Sequence, residues 1–254
     1  MLLILRADEQ TQDTSMKVDL KCQDTDPVFF AVVPFRTGSK GLKGKNFKSF
    51  CGRSLWSRAA AQGLRTCGNL ICTTDAELSQ EWEEFSGQIL DRRPGHLSDD
   101  TSKMSDVIFH LIDSYKLTSQ IIVLLQPTNP LRSDEDIYHA MALYLNSQCK
   151  MVMSVSKKDN RVLKHGFIKN GRFETVNRAE YCFENRQNLP DVFGPNGAIY
   201  IFRVADFLAA QGFPHDNVFA YEMDLISSID IDKIEDFENA ERIANASDRE
   251  THEP

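Results

Sequence analysis

The sequence predicts an α/β protein in three layers, a mostly parallel sheet with helices on both faces. Three observations lead there. Apolar runs such as "VFFAVVP" (28–34) and "IIVLLQP" (121–127) lack the polar alternation of a half-solvated strand, so they read as strands buried on both sides. Amphipathic stretches of helical period stand between such runs. Strand and helix signals then alternate along the chain, the pattern of βαβ units with helices packed on both faces.

Each element follows in order. Residues 1–27 are polar, lack periodicity and end in "DTDP", a flexible leader. Folding begins near Val28. After the first strand, "SLWSRAAAQGLRTCG" reads as a helix with a Ser54 N-cap and a terminating Gly68, and "NLICTTD" as the next strand. A helix is expected in "AELSQEWEEFSG", a short strand in "QILDRR" and a helix in "TSKMSDVIFHLIDSY". Beyond the strand in "IIVLLQP", the "SDED" at Ser133 resembles a capping box with Asp in the Glu position, and "MVMSVSK" is again a strand. The rhythm then changes. "HGFIKNGRFETV" holds Asn170-Gly171 between apolar residues, the signal of a two-residue hairpin turn. Afterwards come "NGAIYIF" as a strand, "VADFLAAQG" as a short helix, "NVFAYEMD" as a strand and "IEDFENAERIANAS" as a closing helix. The expected division is a leader (1–27), a core (28–156 and 196–247), an inserted segment (157–195) and a tail (248–254).

Composition narrows the function. The 254 residues are 41% hydrophobic and 26% charged, an ordinary soluble make-up. "MLLIL" is too short for a signal peptide or a membrane span, so the expectation is a cytoplasmic protein without a membrane partner. A net charge of −8 argues against a nucleic-acid partner. The six cysteines show no CxxC or Cys/His ligand spacing and read as reduced thiols. The histidines lack HExxH spacing and no GxSxG elbow is present, which disfavours metallohydrolase and Ser-His-Asp chemistry.

Charge is nonetheless uneven. Val28 to Thr74 contains no Asp or Glu, whereas Arg36, Lys40, Lys43, Lys45, Lys48, Arg53, Arg58 and Arg65 all fall there. The loop after the first strand, "RTGSKGLKGKN", is therefore a candidate polyphosphate site: Gly38, Gly41 and Gly44 let backbone approach closely, and Arg36, Lys40 and Lys45 supply charge. It is neither a P-loop, since five residues separate Gly38 from Gly44, nor a GxGxxG turn. A solvated surface loop has the same composition. In "SSIDIDKIEDF", Asp230 and Asp232 alternate with isoleucines, so at strand period both carboxylates share one face. Mutual repulsion is relieved by a cation, and magnesium suits a pair of carboxylates plus phosphate oxygens; a solvent-facing pair is the alternative. Asp236 suits helix-start chemistry. "LLQPTNPLR" holds Gln126, Thr128, Asn129 and Arg132 around two prolines that stiffen the loop, and "NGAIY" places Asn196 and Gly197 where a ligand could approach; either could equally be a plain turn.

Taken in order, these motifs resemble the cytidylyltransferases that activate nine-carbon 2-keto sugar acids, the CMP-sialic acid synthetase family. Over residues 28 to 245, the family's "(I/V)PARxGSKG(L/I)xxKN" stands as "VPFRTGSKGLKGKN", "STD" as "TTD" at Thr73 to Asp75, and "RP" with an acidic stretch as "RRPGHLSDD". "LQPTSPLR" stands as "LQPTNPLR", "RQDLP" as "RQNLP", "NGAIY" unchanged, and "DIDxxxDF" as "DIDKIEDF". Phe35 replaces the family's alanine and Asn129 its serine, departures that bear on the backbone near the nucleotide and on sugar contacts.

The resemblance implies a Rossmann-like three-layer nucleotidyltransferase fold with a small inserted dimerisation segment. It implies a magnesium-dependent reaction of CTP with a sialic acid-like substrate to give CMP-sugar and pyrophosphate. Legionaminate, pseudaminate, Kdn or 8-amino-Kdo are alternative sugar acids, and a catalytically silent nucleotide-binding homologue is the other alternative. Carried over by position, Arg36, Ser39, Lys40 and Lys45 hold triphosphate oxygens, Asn46 contacts the nucleotide, and Arg93 and Ser98 complete the cytidine side. Gln126, Asn196 and Tyr200 face the sugar with Arg186 nearby, Asp230 and Asp232 bind magnesium, and Arg36, Lys40, Lys45 and Asp232 carry catalysis. The family also implies a homodimer in which Arg186 acts across the interface.

Overall fold

The computed structural model describes residues 27–38, 41–78 and 80–250. Most of the leader therefore lies outside the described residues, as do Ser39 and Lys40. Nine strands of four or more residues are described: β1 (Phe29–Pro34), β2 (Leu70–Thr74), β3 (Ile89–Arg92), β4 (Ile121–Leu125), β5 (Met151–Lys158), β6 (Gly166–Lys169), β7 (Arg172–Thr175), β8 (Val192–Arg203) and β9 (Val218–Glu222). The helices are α1 (Leu55–Cys67), α2 (Met104–Ser114), α3 (Asp134–Ser147), α4 (Val204–Ala209) and α5 (Ile234–Glu250).

Seven strands form one sheet in the order β9-β5-β8-β4-β1-β2-β3. Every pairing is parallel except those of β8, which runs against both β4 and β5. Strand period sorts the apolar residues into two cores. Ala31, Val33, Val123 and Leu125 pack with α1 and α3, whereas Val32, Ile71, Ile122 and Leu124 pack with α2 and α4. This accounts for the continuous apolar runs, because no face of a central strand meets water. A third, smaller core joins Phe50 and Leu55 to Ile231, Phe237 and Ala240, and so seats α5 beside the loop that follows β1.

Local signals held where one residue's chemistry decides the geometry. Ser133 Oγ accepts from the Asp136 backbone N–H at 3.0 Å while Asp136 Oδ2 accepts from that of Ser133 at 2.9 Å, a complete capping box. Asn170 and Gly171, both at positive φ, turn the β6–β7 hairpin. Gly68 ends α1 in a left-handed conformation.

Other expectations need correcting. Ser54 stands at the N-cap of α1, but its side chain makes no capping hydrogen bond. The segment around "AELSQEWEEFSG" forms a 3-10 helix over Gln80–Phe85 in place of an α-helix. Its anchor is Trp82 and Phe85 packed on Trp56, and Gly87 at positive φ ends it. Residues 229–232 belong to no strand, although their alternation survives: Ile231 is buried and the two aspartates are exposed. α5 continues to Glu250, through residues expected in the tail. Both edges of the segment expected as an insertion are sheet residues, since Val192 pairs with Lys158 and Pro195 with Val155. Among the described residues, no helix is long and apolar enough to cross a membrane.

Candidate active site

The carboxyl ends of β1 and β4 open into a cleft of about 440 Å³, the position in open α/β sheets where loops build ligand sites. Its lining includes Arg36, Gly41, Lys45, Arg93, Gln126, Thr128 and Asp232.

The loop after β1 is tied to the segment before α5 backbone to backbone. Leu42 N–H donates to the Asp232 carbonyl at 3.0 Å. A side chain at position 41 cannot be accommodated, because a Cβ there would sit 2.2 Å from that carbonyl oxygen. Lys45 completes the junction: its Nζ donates to Ile231 O at 2.7 Å and lies 2.9 Å from Asp232 Oδ1. Ile231 N–H donates in turn to Thr128 O at 2.8 Å. Three segments distant in sequence thus converge on the two aspartates.

Arg36 crosses the cleft. One guanidinium nitrogen donates to Ser98 O at 2.9 Å and the other to Asp100 Oδ1 at 2.8 Å. Thr37 donates to Asp75 through both its backbone N–H and its hydroxyl, each at 2.8 Å, which gives the aspartate of "TTD" a loop-holding role. Asn46 is buried and donates from Nδ2 to Arg36 O at 3.0 Å, so part of its amide is spent shaping the loop.

Arg93 is also buried. Its guanidinium donates to the carbonyls of Phe35, Thr73 and Leu97, pinning the ends of β1 and β2. Burial pulls its pKa down, offset in part by Asp75 and Asp91. Two groups beside these contacts are buried without a partner among the described residues, Arg93 Nε and Ser98 Oγ. Unpartnered buried polar groups are costly, and two of them in a cleft-lining corner suit a polar ligand there. Phe35, in place of the family's alanine, stacks on Trp56 at 4.9 Å and meets Phe47 edge-on at 5.8 Å; it is a core anchor.

The sugar-facing set divides. Gln126 lines the cleft. Tyr200 stands on β8, its pKa raised by burial and then by the charge of Asp230. Asn196 is turned inward: Oδ1 accepts from Ser154 Oγ at 2.5 Å and from the Ala198 N–H at 3.1 Å, and Nδ2 donates to Ser228 Oγ at 2.9 Å. These bonds spend the amide inside the protein. Asn129 Nδ2 likewise donates inside the protein, to Asn196 O at 3.1 Å and Ile229 O at 3.3 Å, and so joins loops, but its buried Oδ1 has no partner among the described residues. Arg186 lines a separate cleft with Lys157, Lys158 and Asp191.

Asp230 carries the electrostatic signature of the site. Surrounding protein raises its pKa, with the charges of Asp232 and Asp236 adding to the effect and a Thr128 hydrogen bond and Lys45 opposing it. Asp236 Oδ2 accepts from the backbone N–H groups of Asp232 and Lys233, the helix-start role expected of it. No cluster of three or more His, Cys, Asp or Glu suited to a metal occurs among the described residues. Asp75 and Asp100 received no role from the sequence, although both stand in quoted motifs. The acid-free run from Val28 to Thr74 was the available signal, because its cations must find carboxylates elsewhere.

Comparison with known proteins places the chain in a family. Residues 30–250 match the model of a family described as cytidylyltransferase. The chain is 30% identical over 218 residues to an N-acylneuraminate cytidylyltransferase of Streptococcus agalactiae serotype III (strain NEM316), covering 81% of this chain and 51% of that protein. It spans about half the length of that relative. It is 26% identical over 227 residues to a CMP-N,N'-diacetyllegionaminic acid synthase of Legionella pneumophila, covering 84% of this chain and 94% of that one. Among solved structures, a CMP:2-keto-3-deoxy-manno-octonic acid synthetase complexed with CTP superposes with a TM-score of 0.64 at 14% identity, covering 86% of this chain and 99% of that one, a likeness of fold. With the family model spanning nearly the whole described chain and the basic loop, buried arginine and paired aspartates in place, the chain belongs to the cytidylyltransferase family.

Proposed function

We propose that the chain transfers the cytidylyl group of CTP to a nine-carbon 2-keto sugar acid of the sialic type, releasing pyrophosphate. The observation that carries this reading is the junction of the Arg36–Asn46 loop with Asp230 and Asp232, which sets Lys45 against Asp232 at the mouth of one cleft. A sugar hydroxyl attacks the α-phosphorus while the bond to the bridging α–β oxygen breaks. All reactants are anionic, so the protein must cancel repulsion and hold nucleophile and leaving group in line. Arg36 and Lys45, joined by Ser39 and Lys40 as sequence position implies, meet the triphosphate. The unpartnered donors of Arg93 and Ser98 suit the carbonyl and ring nitrogen of cytosine. Gln126 and Tyr200 suit the sugar.

Loss of solvent raises the pKa of Asp230 first and the neighbouring charges of Asp232 and Asp236 add to it; a divalent cation would relieve that repulsion, so Asp230 and Asp232 fit magnesium. Bound there, the metal would neutralise phosphate charge and lower the pKa of an attacking hydroxyl.

The segment between β5 and β8 suits a homodimer contact. Phe183 is 91% exposed and Ile168 80%, with Phe167, Phe173 and Val176 also exposed, apolar side chains that a second copy of the chain would cover. Arg186 in that segment would then serve a neighbouring subunit's sugar.

Pyrophosphate release in the presence of CTP and magnesium, measured over a panel of nine-carbon and eight-carbon 2-keto acids, tests the reading. Turnover with an N-acylneuraminate or a legionaminate-type acid is expected, and CTP binding without turnover on any acid would count against it.

A further inference from the structure

We propose that Asp100 is a specificity-determining residue that occupies Arg36 in place of the nucleotide's phosphates, so that only a strongly anionic ligand displaces it. The inference rests on the reading that this cleft takes CTP.

Arg36 would otherwise present a bare guanidinium to the cleft. Instead, one loop supplies both of its partners, the carboxylate of Asp100 at 2.8 Å and the carbonyl of Ser98 at 2.9 Å. The ion pair keeps contact with water, with Arg36 28% and Asp100 46% exposed as side chains. Such a pair is weak and exchangeable, because water screens it and both side chains gain freedom on release. A triphosphate or pyrophosphate offers several charged oxygens in the geometry that a guanidinium binds bidentately, and outcompetes one carboxylate. An uncharged nucleoside offers none and leaves the pair intact. Lys45 and Asp232 differ in this respect, since Asp232 also serves the acidic pair and Lys45 holds the Ile231 carbonyl. Asp99 lines the same cleft and forms no ion pair with Arg36, which makes it an internal control for the general field.

Two consequences follow. Asp100 sets a threshold of ligand charge at Arg36: every phosphate ligand is weakened by the cost of freeing the guanidinium, and only one with several charged oxygens recovers that cost. After bond cleavage it competes with pyrophosphate for the same guanidinium and so favours its release.

Calorimetric titration of the full chain in metal-free buffer with CTP, pyrophosphate and cytidine tests this. Asp100→Asn, with Asp100→Ala as a second variant, is expected to bind CTP and pyrophosphate about three- to tenfold tighter, the exchange value of one charge-assisted pair near a surface, with cytidine affinity unchanged. Asp99→Asn is expected to change them by less than about twofold, as a screened field effect does. In an Arg36→Ala background, Asp100→Asn is expected to add less than about twofold, no more than the field effect, the cycle that isolates the pair. Unchanged or weaker pyrophosphate binding by both Asp100 variants, or tightening that persists without Arg36, would overturn the inference. If the unsubstituted chain bound no CTP, the functional reading would fall and this inference with it; if it bound CTP and Asp100→Asn bound it no tighter, the inference alone would fall.

Discussion

Lys45 Nζ donates to the Ile231 carbonyl at 2.7 Å and lies 2.9 Å from Asp232 Oδ1, bridging 187 residues of sequence between the basic loop and the acidic pair. One side chain therefore both shapes the cleft and carries charge into it.

Replacing either partner separates the two roles. Asp232→Asn is expected to lower turnover by two or more decades, the scale of lost electrostatic stabilisation, with little change in melting temperature because the side chain is 72% exposed. Lys45→Ala is expected to lower turnover similarly and to cost about 1 kcal/mol of stability, since the Ile231 carbonyl loses its donor. Pyrophosphate release and thermal melting check both.

Asp230 makes a prediction of opposite sign. Its folded-state pKa is raised first by partial loss of solvent around the carboxyl, although the residue as a whole stays exposed, and next by the charge of Asp232, so the folded protein favours the protonated form. Its contribution to stability is full below the unfolded carboxylate pKa and is lost as pH rises through the raised value. Asp230→Asn is therefore expected to melt higher than the unsubstituted protein at pH 7, with the difference vanishing near pH 3, while turnover falls. Melting curves across pH that moved together for the two proteins would contradict this.

Gly41 tests the backbone junction. A Cβ there would meet Asp232 O at 2.2 Å, so Gly41→Ala must push the loop off Asp232. The sheet core lies elsewhere, and turnover and CTP affinity are expected to fall at least tenfold while melting shifts by only a few degrees, a modest cost for a surface loop.

Asn196 separates packing from sugar contact. Its amide joins Ser154, Ala198 and Ser228 in a buried network, so Asn196→Ala is expected to destabilise by about 2–4 kcal/mol, as several buried partners lose their bonds at once. Denaturant unfolding measures the loss. A large rise in the sugar KM without loss of stability would instead restore a direct sugar contact.

The alternation of buried strands and amphipathic helices was legible because each signal is set by residues close in sequence: the double-sided burial of β1 and β4, the capping box at Ser133, and the turn at Asn170-Gly171. The cleft was legible in charge, since the acid-free run around Arg36 and Lys45 has to meet an anion. Less legible was the direction in which a polar side chain points. Asn196 and Asn129 look like ligand contacts in sequence, yet partners up to 100 residues away turn them inward. Arg93 is similar, a cation whose burial against three carbonyls depends on where two strands end. The 3-10 turn at Gln80–Phe85 was missed because its apolar residues satisfy a helical period while their packing on Trp56 fixes a tighter coil.

A crystal structure with CTP and magnesium tests most directly the claim that the basic loop and the acidic pair jointly receive a nucleoside triphosphate. The expected result has phosphate oxygens within hydrogen-bond reach of Lys45 and Arg36, the metal on Asp230 and Asp232, and the cytosine beside Arg93 and Ser98. A nucleotide bound away from Lys45 and Asp232 would contradict it.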